Sequence, residues 1–170
     1  AYVKEPIVGK HEWVVSFDLN SLYPHIIMQY NISPEKMQRG LTDTSVEKLF
    51  NKETIVDGAL GITPNGARFS NDKQGFLPEL MQKFYDERKM WKGKMIGYQK
   101  ELQTCTDRKR KNELNTLIKR SYNNQQVRKI ALNSAYGALA NQYFAFFDPQ
   151  LAEAITLSGQ LIIKHAEKTI

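Results

Sequence analysis

The segment VSFDLNSLYPHII, residues 15–27, carries one carboxylate at the end of an apolar run and a Ser-Leu-Tyr-Pro turn directly after it. Residues 12–18 predict a strand that ends at Asp18, because Val, Trp and Phe favour strands. The residues after the turn predict a short helix. That helix is predicted to end at NISPE, residues 31–35, because Ser33 precedes a proline and is biased toward extended geometry.

Two small elements are predicted next. Residues 42–50 predict a short helix with a capping box, in which Thr44 caps the helix and Glu47 stands three residues later. Residues 60–70 predict a β-hairpin whose turn is the Asn-Gly pair at 65–66.

Long helices dominate the rest of the chain. Helical patterns run from residue 77 to about 104 and from about 112 to 139, each about 28 residues or roughly 40 Å long. The short polar break between them predicts an antiparallel helical hairpin. Asp148 and Pro149 then mark the start of a third, amphipathic helix.

The charge is concentrated in the predicted hairpin. Between Met81 and Lys129 there are 14 Lys and Arg against 5 Asp and Glu, a local net charge of +9, whereas the remainder carries a net charge of −3. This asymmetry favours a polyanionic partner at one part of the molecule. A solubilised helical surface remains the alternative interpretation.

The composition excludes several classes of protein. No stretch approaches the roughly 20 apolar residues that cross a bilayer, and no signal peptide is visible. The single Cys105 cannot form an internal disulfide, which fits a reducing compartment. The isolated His11, His25 and His165 have no zinc-ligand spacing.

Polar side chains form a stripe near the end of the second hairpin helix. Lys129, Asn133 and Tyr136 stand at i, i+4 and i+7 and therefore share one helix face. Gly137 leaves this stripe open to the close approach of a flat group.

The first hairpin helix has a matching pair of cations, Arg88 and Lys92, at i and i+4. If the helices are antiparallel, both lie near Lys129 at the base of the hairpin. Three converging cations suit a triphosphate better than a long duplex, although such a pair is also typical of a solvated helix face.

Two motifs in this order resemble those of family B DNA polymerases. DLNSLYP, residues 18–24, resembles the first palm motif of the family, and KIALNSAYG, residues 129–137, resembles its fingers motif. NISPE and YGALANQYFAFFD are similar to segments of the replicative polymerases of T-even-type phages. The resemblance covers essentially the whole chain. Family A is disfavoured because its palm motif has a different sequence after the aspartate.

The resemblance implies that Asp18 is a metal-binding carboxylate of the palm and that the carbonyl of Leu19 adds an oxygen ligand. Together with a second palm carboxylate they would hold two Mg²⁺ ions. The second palm motif, Asp-Thr-Asp, is absent, and Asp43-Thr44-Ser45 is interpreted as a helix cap. We therefore expect the chain alone to be inactive, as a fragment of a larger enzyme.

The resemblance also implies a nucleotide site. Backbone N–H groups at Ser21 and Leu22 would face the triphosphate, and Tyr23 would be the steric gate against a 2′-hydroxyl. Lys129 would in addition protonate the pyrophosphate. The fingers residues that the resemblance assigns to the nucleotide are Arg88, Lys92, Lys129, Asn133, Tyr136 and Gly137.

Two positions depart from the family pattern. His25 replaces the usual serine after the proline, and Ala135 replaces a bulkier residue between Ser134 and Tyr136. Neither position has a catalytic role in the family, but Ala135 is expected to loosen packing under the fingers helix.

The predicted fold class is α+β, a piece of a polymerase palm with a projecting two-helix fingers hairpin. The predicted segments are an N-terminal palm segment (1–76), the fingers hairpin (77–139) and a return segment into the palm (140–170). The implied partners are primer–template DNA, a deoxynucleoside triphosphate and a sliding clamp bound through other parts, with no membrane. The implied location is the cytoplasm, that of a bacterial host if the source is a phage.

Two other functions compete with this interpretation. The chain could be a non-catalytic, basic helical hairpin that binds nucleic acid by charge alone, with a steep salt dependence. A purely structural coiled-coil hairpin is disfavoured by Gly93 and Gly97 and by the lack of sustained heptads.

Overall fold

The computed structural model describes residues 3–56 and 58–170, which form a mostly helical structure with one small antiparallel sheet. Residues 1, 2 and 57, which belong to the predicted segment 1–76, lie outside the described ranges. The elements in chain order are α1 (Leu22–Gln29), a short 3₁₀ helix (Pro34–Lys36), α2 (Val46–Phe50), β1 (Leu60–Ile62), β2 (Arg68–Ser70), α3 (Phe76–Thr104), α4 (Arg108–Leu139) and α5 (Pro149–Thr169).

The helical hairpin is confirmed, since α3 and α4 are long helices that pack along each other. An ion pair between Glu87 and Arg128, 2.9 Å from Oε2 to Nε, joins the two helices. Helix α4 begins at residue 108, before the predicted start at 112, because the Asp107 carboxylate accepts hydrogen bonds from the backbone N–H groups of Lys109 and Arg110.

The β-hairpin is also confirmed. Strands β1 and β2 pair with Leu60 opposite Ser70 and Ile62 opposite Arg68. Gly66 adopts φ 83°, and its N–H donates to the carbonyl of Thr63 at 2.8 Å. A left-handed residue closes the turn, which is why glycine suits this position.

The strand predicted at residues 12–18 is wrong. These residues form no strand and are exposed, with the side chains of Trp13 at 96%, Val14 at 77% and Phe17 at 69% relative exposure. A strand is held by hydrogen bonds to a neighbouring strand. The sheet among the described residues contains only β1 and β2, so the apolar pattern finds no partner there.

The helix caps are partly as predicted. Asp148 caps α5, accepting a hydrogen bond from the backbone N–H of Gln150 at 2.8 Å. The predicted cap of α2 is wrong by one residue, because Ser45 Oγ accepts from the backbone N–H of Lys48 at 3.2 Å. Thr44 instead directs its hydroxyl to Thr54, 2.6 Å away.

The core lies where α1 is packed against the bases of α3 and α4 and against α5. Helix α1 therefore carries the Ser-Leu-Tyr-Pro turn to the base of the hairpin. No helix in the described ranges is long and apolar enough to cross a membrane. Core residues that are fully buried include Ile26, Ile27, Ile32, Phe69, Met81, Leu132, Leu139, Leu151, Ala154 and Ile155.

Candidate functional site

The turn that precedes α1 has a fixed and unusual backbone. Ser21 is the N-cap of α1 in the left-handed conformation, φ 54° and ψ 46°, and its side chain makes no cap hydrogen bond. The Nδ1 of His25 lies 2.9 Å from the Ser21 carbonyl, so the ring donates this hydrogen bond. The same ring meets Tyr85 of α3 edge-on, with centroids 4.8 Å apart. His25 therefore ties the turn to the hairpin.

Arg88 links the turn to α3 directly. Its Nη1 donates to Ser21 Oγ at 3.2 Å. Its Nε is buried and has no hydrogen-bond partner among residues 3–56 and 58–170. A buried donor of this kind has capacity for a further acceptor.

A small basic cleft of about 140 Å³ opens beside Arg88. Cations dominate its α3 wall, so an anion would be attracted there. Tyr85 and Lys89 were not predicted as site residues, although their spacing with Arg88 and Lys92 (i, i+3, i+4 and i+7) marks one helix face. The residues that line the cleft are Asn20, Tyr85, Arg88, Lys89 and Lys92.

A second cleft of about 390 Å³ lies between the turn and α4. The ring of Tyr23 lies against that of Tyr136, with centroids 4.8 Å apart and planes at 46°. Helix α5 also packs against the Tyr23 ring, at Gly159. A Cβ at Gly159 would lie 3.5 Å from Tyr23 Cε1. The cleft is lined by Leu19, Ser21, Leu22, Tyr23, Pro24, Asn133 and Tyr136.

The structure brings together most, but not all, of the predicted site residues. Arg88 and Lys92 line one cleft, whereas Lys129 is exposed and lines neither cleft. The convergence of all three cations stays a prediction. Gly137 is exposed, and a Cβ placed on it would meet nothing within 4 Å.

The metal-ligand set is incomplete in the described residues. Asp18 is exposed and directly precedes Leu19, which lines the second cleft, and Asn20, which lines the basic cleft. Its carboxylate and the Leu19 carbonyl are oxygen donors of the kind that Mg²⁺ prefers. However, no group of three or more His, Cys, Asp or Glu side chains in the described ranges could hold a metal ion. Further ligands would have to come from elsewhere.

The described fold, with two motif-bearing segments meeting at the base of a helical hairpin, agrees with the resemblance seen in the sequence. The full chain, residues 1–170, matches DNA polymerase family B, and it belongs to that family.

Similar proteins include the DNA-directed DNA polymerases of Escherichia phage RB69 and Enterobacteria phage T4. Each is 29% identical to this chain, in an alignment that covers 100% of this chain and 23% of the phage polymerase. DNA polymerase 1 of Pyrococcus abyssi is 31% identical over 95% of this chain and 17% of its own length. The chain thus spans less than a quarter of these relatives.

A solved structure shares the fold. The family B DNA polymerase from the hyperthermophilic archaeon Pyrobaculum calidifontis matches with a TM-score of 0.57 and 20% identity, over 87% of this chain and 17% of that polymerase. At this identity the likeness concerns the fold.

Proposed function

We propose that the chain is the nucleotide-binding part of a DNA-directed DNA polymerase, which adds deoxynucleoside triphosphates to a primer 3′ end in DNA replication. The observation that carries the proposal is that both hairpin helices contact the same turn. Arg88 of α3 donates to Ser21, and Tyr136 of α4 packs on Tyr23. A nucleotide at this turn would meet groups from the palm segment and from both fingers helices.

In this proposal the basic cleft receives the triphosphate. Arg88, Lys92 and Lys129 hold the phosphates and stabilise the charge that develops as the phosphoryl group transfers. The N–H groups of Ser21 and Leu22 would be available to the same oxygens, because the first N–H groups of a helix have no intrahelical partner. The Lys129 ammonium also donates a proton to the departing pyrophosphate.

The second cleft receives the sugar and the base. Tyr23 lies at the cleft wall and is 37% exposed, so its ring can exclude a 2′-hydroxyl beneath the sugar. Asn133 of α4 also lines this cleft and would contact the sugar and the phosphates. Tyr136 and the open surface at Gly137 would face the nascent base pair. Closure of the hairpin over a correct pair then completes the site.

Asp18 and the carbonyl of Leu19 would supply part of the ligand set for two Mg²⁺ ions. When bound, these ions would lower the pKa of the primer hydroxyl and neutralise charge on the leaving group. Since one carboxylate cannot hold two ions, residues 1–170 by themselves are expected to show no primer extension. Primer–template DNA and a sliding clamp would engage surfaces of the whole protein.

The test compares two charge-removing variants of the whole protein. Arg88→Ala removes the cation beside the turn, whereas Lys119→Ala removes an exposed cation from the middle of α4. Steady-state primer extension should show kcat/KM for the nucleotide reduced about 10- to 100-fold by the first variant, because a charge-assisted hydrogen bond is lost. The Lys119→Ala control should stay within about twofold.

The rival function, a basic hairpin that binds nucleic acid by charge alone, gives a different result. Both variants would then weaken DNA binding equally and flatten its salt dependence by similar amounts. Equal effects of the two substitutions would therefore contradict the proposed nucleotide site.

A further inference from the structure

The start of α3 has no cap of its own. Its N-cap residue is Gly75, which has no side chain to accept hydrogen bonds from the first-turn N–H groups. The first backbone N–H groups of a helix have no intrahelical partner and must find acceptors elsewhere. Because Leu77 is buried at this point, water cannot readily serve its backbone N–H.

The missing acceptors come from NISPE, the segment that follows α1. Glu35 Oε1 accepts from the N–H of Phe76 at 2.8 Å, and Ser33 Oγ accepts from the N–H of Leu77 at 3.4 Å. The Ser33 hydroxyl donates in turn to Glu35 Oε2 at 2.6 Å, which holds the two acceptors together.

Asn31 completes the arrangement. Its Oδ1 accepts from the N–H of Gly75 at 2.8 Å. Its Nδ2 donates to the carbonyls of Ser70 and Lys73, at 2.6 and 2.9 Å. Asn31 is buried and left-handed, φ 54°, a conformation that asparagine tolerates better than most residues. The end of β2 and the start of α3 are therefore attached to one side chain.

The fit around Gly75 is close. A Cβ at this position would lie 2.7 Å from Ser33 Cβ and 3.0 Å from Glu35 Oε1. The backbone of Gly75 is extended, φ −75°, so the space and not the backbone conformation requires glycine. The N-terminus of α3 thus fits closely against Ser33 and Glu35.

We propose that Asn31, Ser33 and Glu35 form a socket that caps α3 from another part of the chain and positions Arg88 at the turn. The inference rests on the proposed function, because its purpose is to hold the fingers hairpin in register with the nucleotide site. The three socket residues directly follow α1, the helix that begins with the turn. The socket therefore joins α3, which carries Arg88, to the segment that follows α1, the helix that Ser21 precedes. These are positioning residues, since they act on the nucleotide through α3.

The experiment uses the whole protein with the variants Ser33→Ala and Glu35→Ala. The first readout is hydrogen–deuterium exchange of peptides that cover residues 75–80, which does not depend on activity. Loss of a helix cap should speed exchange there about fivefold. Glu35→Gln keeps an oxygen for the Phe76 N–H and should restore most of the protection.

The second readout is primer extension. Both socket variants should raise KM for the nucleotide about fivefold with a smaller change in kcat. Asp107→Ala is the matched control, because it removes the side-chain cap from the start of α4, at the far end of the hairpin. It should speed local exchange around residues 108–112 and leave KM unchanged.

The outcomes separate the socket from the proposed function. If Ser33→Ala and Glu35→Ala leave exchange at residues 75–80 unchanged and the protein extends primers, the socket is overturned and the proposed function is not. The positioning role is overturned if the socket variants exchange faster at residues 75–80 but keep the wild-type KM for the nucleotide. It is also overturned if Asp107→Ala raises KM as much as the socket variants do. A wild-type protein that extends no primer overturns the proposed function and the positioning role together, while the exchange data still report whether the cap exists.

Discussion

The rings of Tyr23 and Tyr136 lie 4.8 Å apart between centroids, so the turn before α1 and the end of α4 share one aromatic contact. This separation falls within the range of favourable aromatic pairs. The contact holds the Tyr23 ring at the wall of the larger cleft, and 37% of the residue remains exposed.

Replacement of Tyr23 by alanine should relax sugar selection in the whole protein. Removal of the ring opens space where a 2′-hydroxyl would lie, so the preference for deoxynucleotides over ribonucleotides should fall about tenfold or more. The measurement is kcat/KM for a matched nucleotide pair. Tyr122→Ala, at an exposed position of α4, is the control and should leave the ratio as it is. Unchanged selection in Tyr23→Ala would mean that another group is the gate.

Enlargement of Gly159 should disturb the same ring from behind. A Cβ there would be in ordinary contact with Tyr23 at 3.5 Å and Ile26 at 3.6 Å, so Gly159→Ala is expected to be mild. Gly159→Leu overfills the space, with about 1–3 kcal/mol of strain, and should push Tyr23 toward the cleft and raise KM for the nucleotide. In a Tyr23→Ala background the leucine should have a smaller effect, because the ring it displaces is gone. Additive effects in this cycle would contradict the coupling.

The cap that Glu35 provides should depend on pH. Partial burial raises the pKa of Glu35. The pKa is lowered more strongly by hydrogen bonds from the Ser33 hydroxyl and the Phe76 N–H and by the charge of Lys36. The pKa of Glu35 therefore lies below its ordinary value of 4.5. The carboxylate therefore contributes stability that is present above that ordinary value and is lost as the pH falls through the lower folded pKa.

The measurement is an NMR titration of the Phe76 amide, whose shift should change with a midpoint below 4.5. Asp72, which pairs with Lys36 at 2.9 Å, and Glu79 in the first turn of α3 are further carboxylates nearby, so a variant that combines Asp72→Asn with Glu79→Gln serves as the control. The Phe76 titration should persist in that control and disappear in Glu35→Gln. A midpoint above the ordinary value would show that the carboxylate is not held by these donors.

The long helices and the β-hairpin could be predicted because their signals are local. The apolar and charged periodicity of α3 and α4 spans many turns, and Asp148-Pro149 is a strong helix start. Asn65-Gly66 likewise specifies a turn by its own backbone preferences.

The socket could not be predicted, because its hydrogen bonds join residues that are more than 40 positions apart. In the sequence, Ser33 and Glu35 indicate only the end of one helix, with no sign of the helix they cap. The strand at residues 12–18 failed for a related reason. Its pattern is that of a strand, but pairing depends on a neighbour that the sequence of the strand does not specify.

Because α3 is long, a small change in its angle at the socket would displace residues farther along the helix by several ångströms. Arg88 lies 12 residues beyond Phe76, about 18 Å along the axis, and Thr104 at the far end lies about 42 Å away. A tilt of α3 by about 10° about the socket would move Arg88 by about 3 Å and the far end of the helix by about 7 Å. The smaller displacement is already the length of a hydrogen bond. A tilt of this size would therefore suffice to engage or release the hydrogen bond of Arg88 to Ser21.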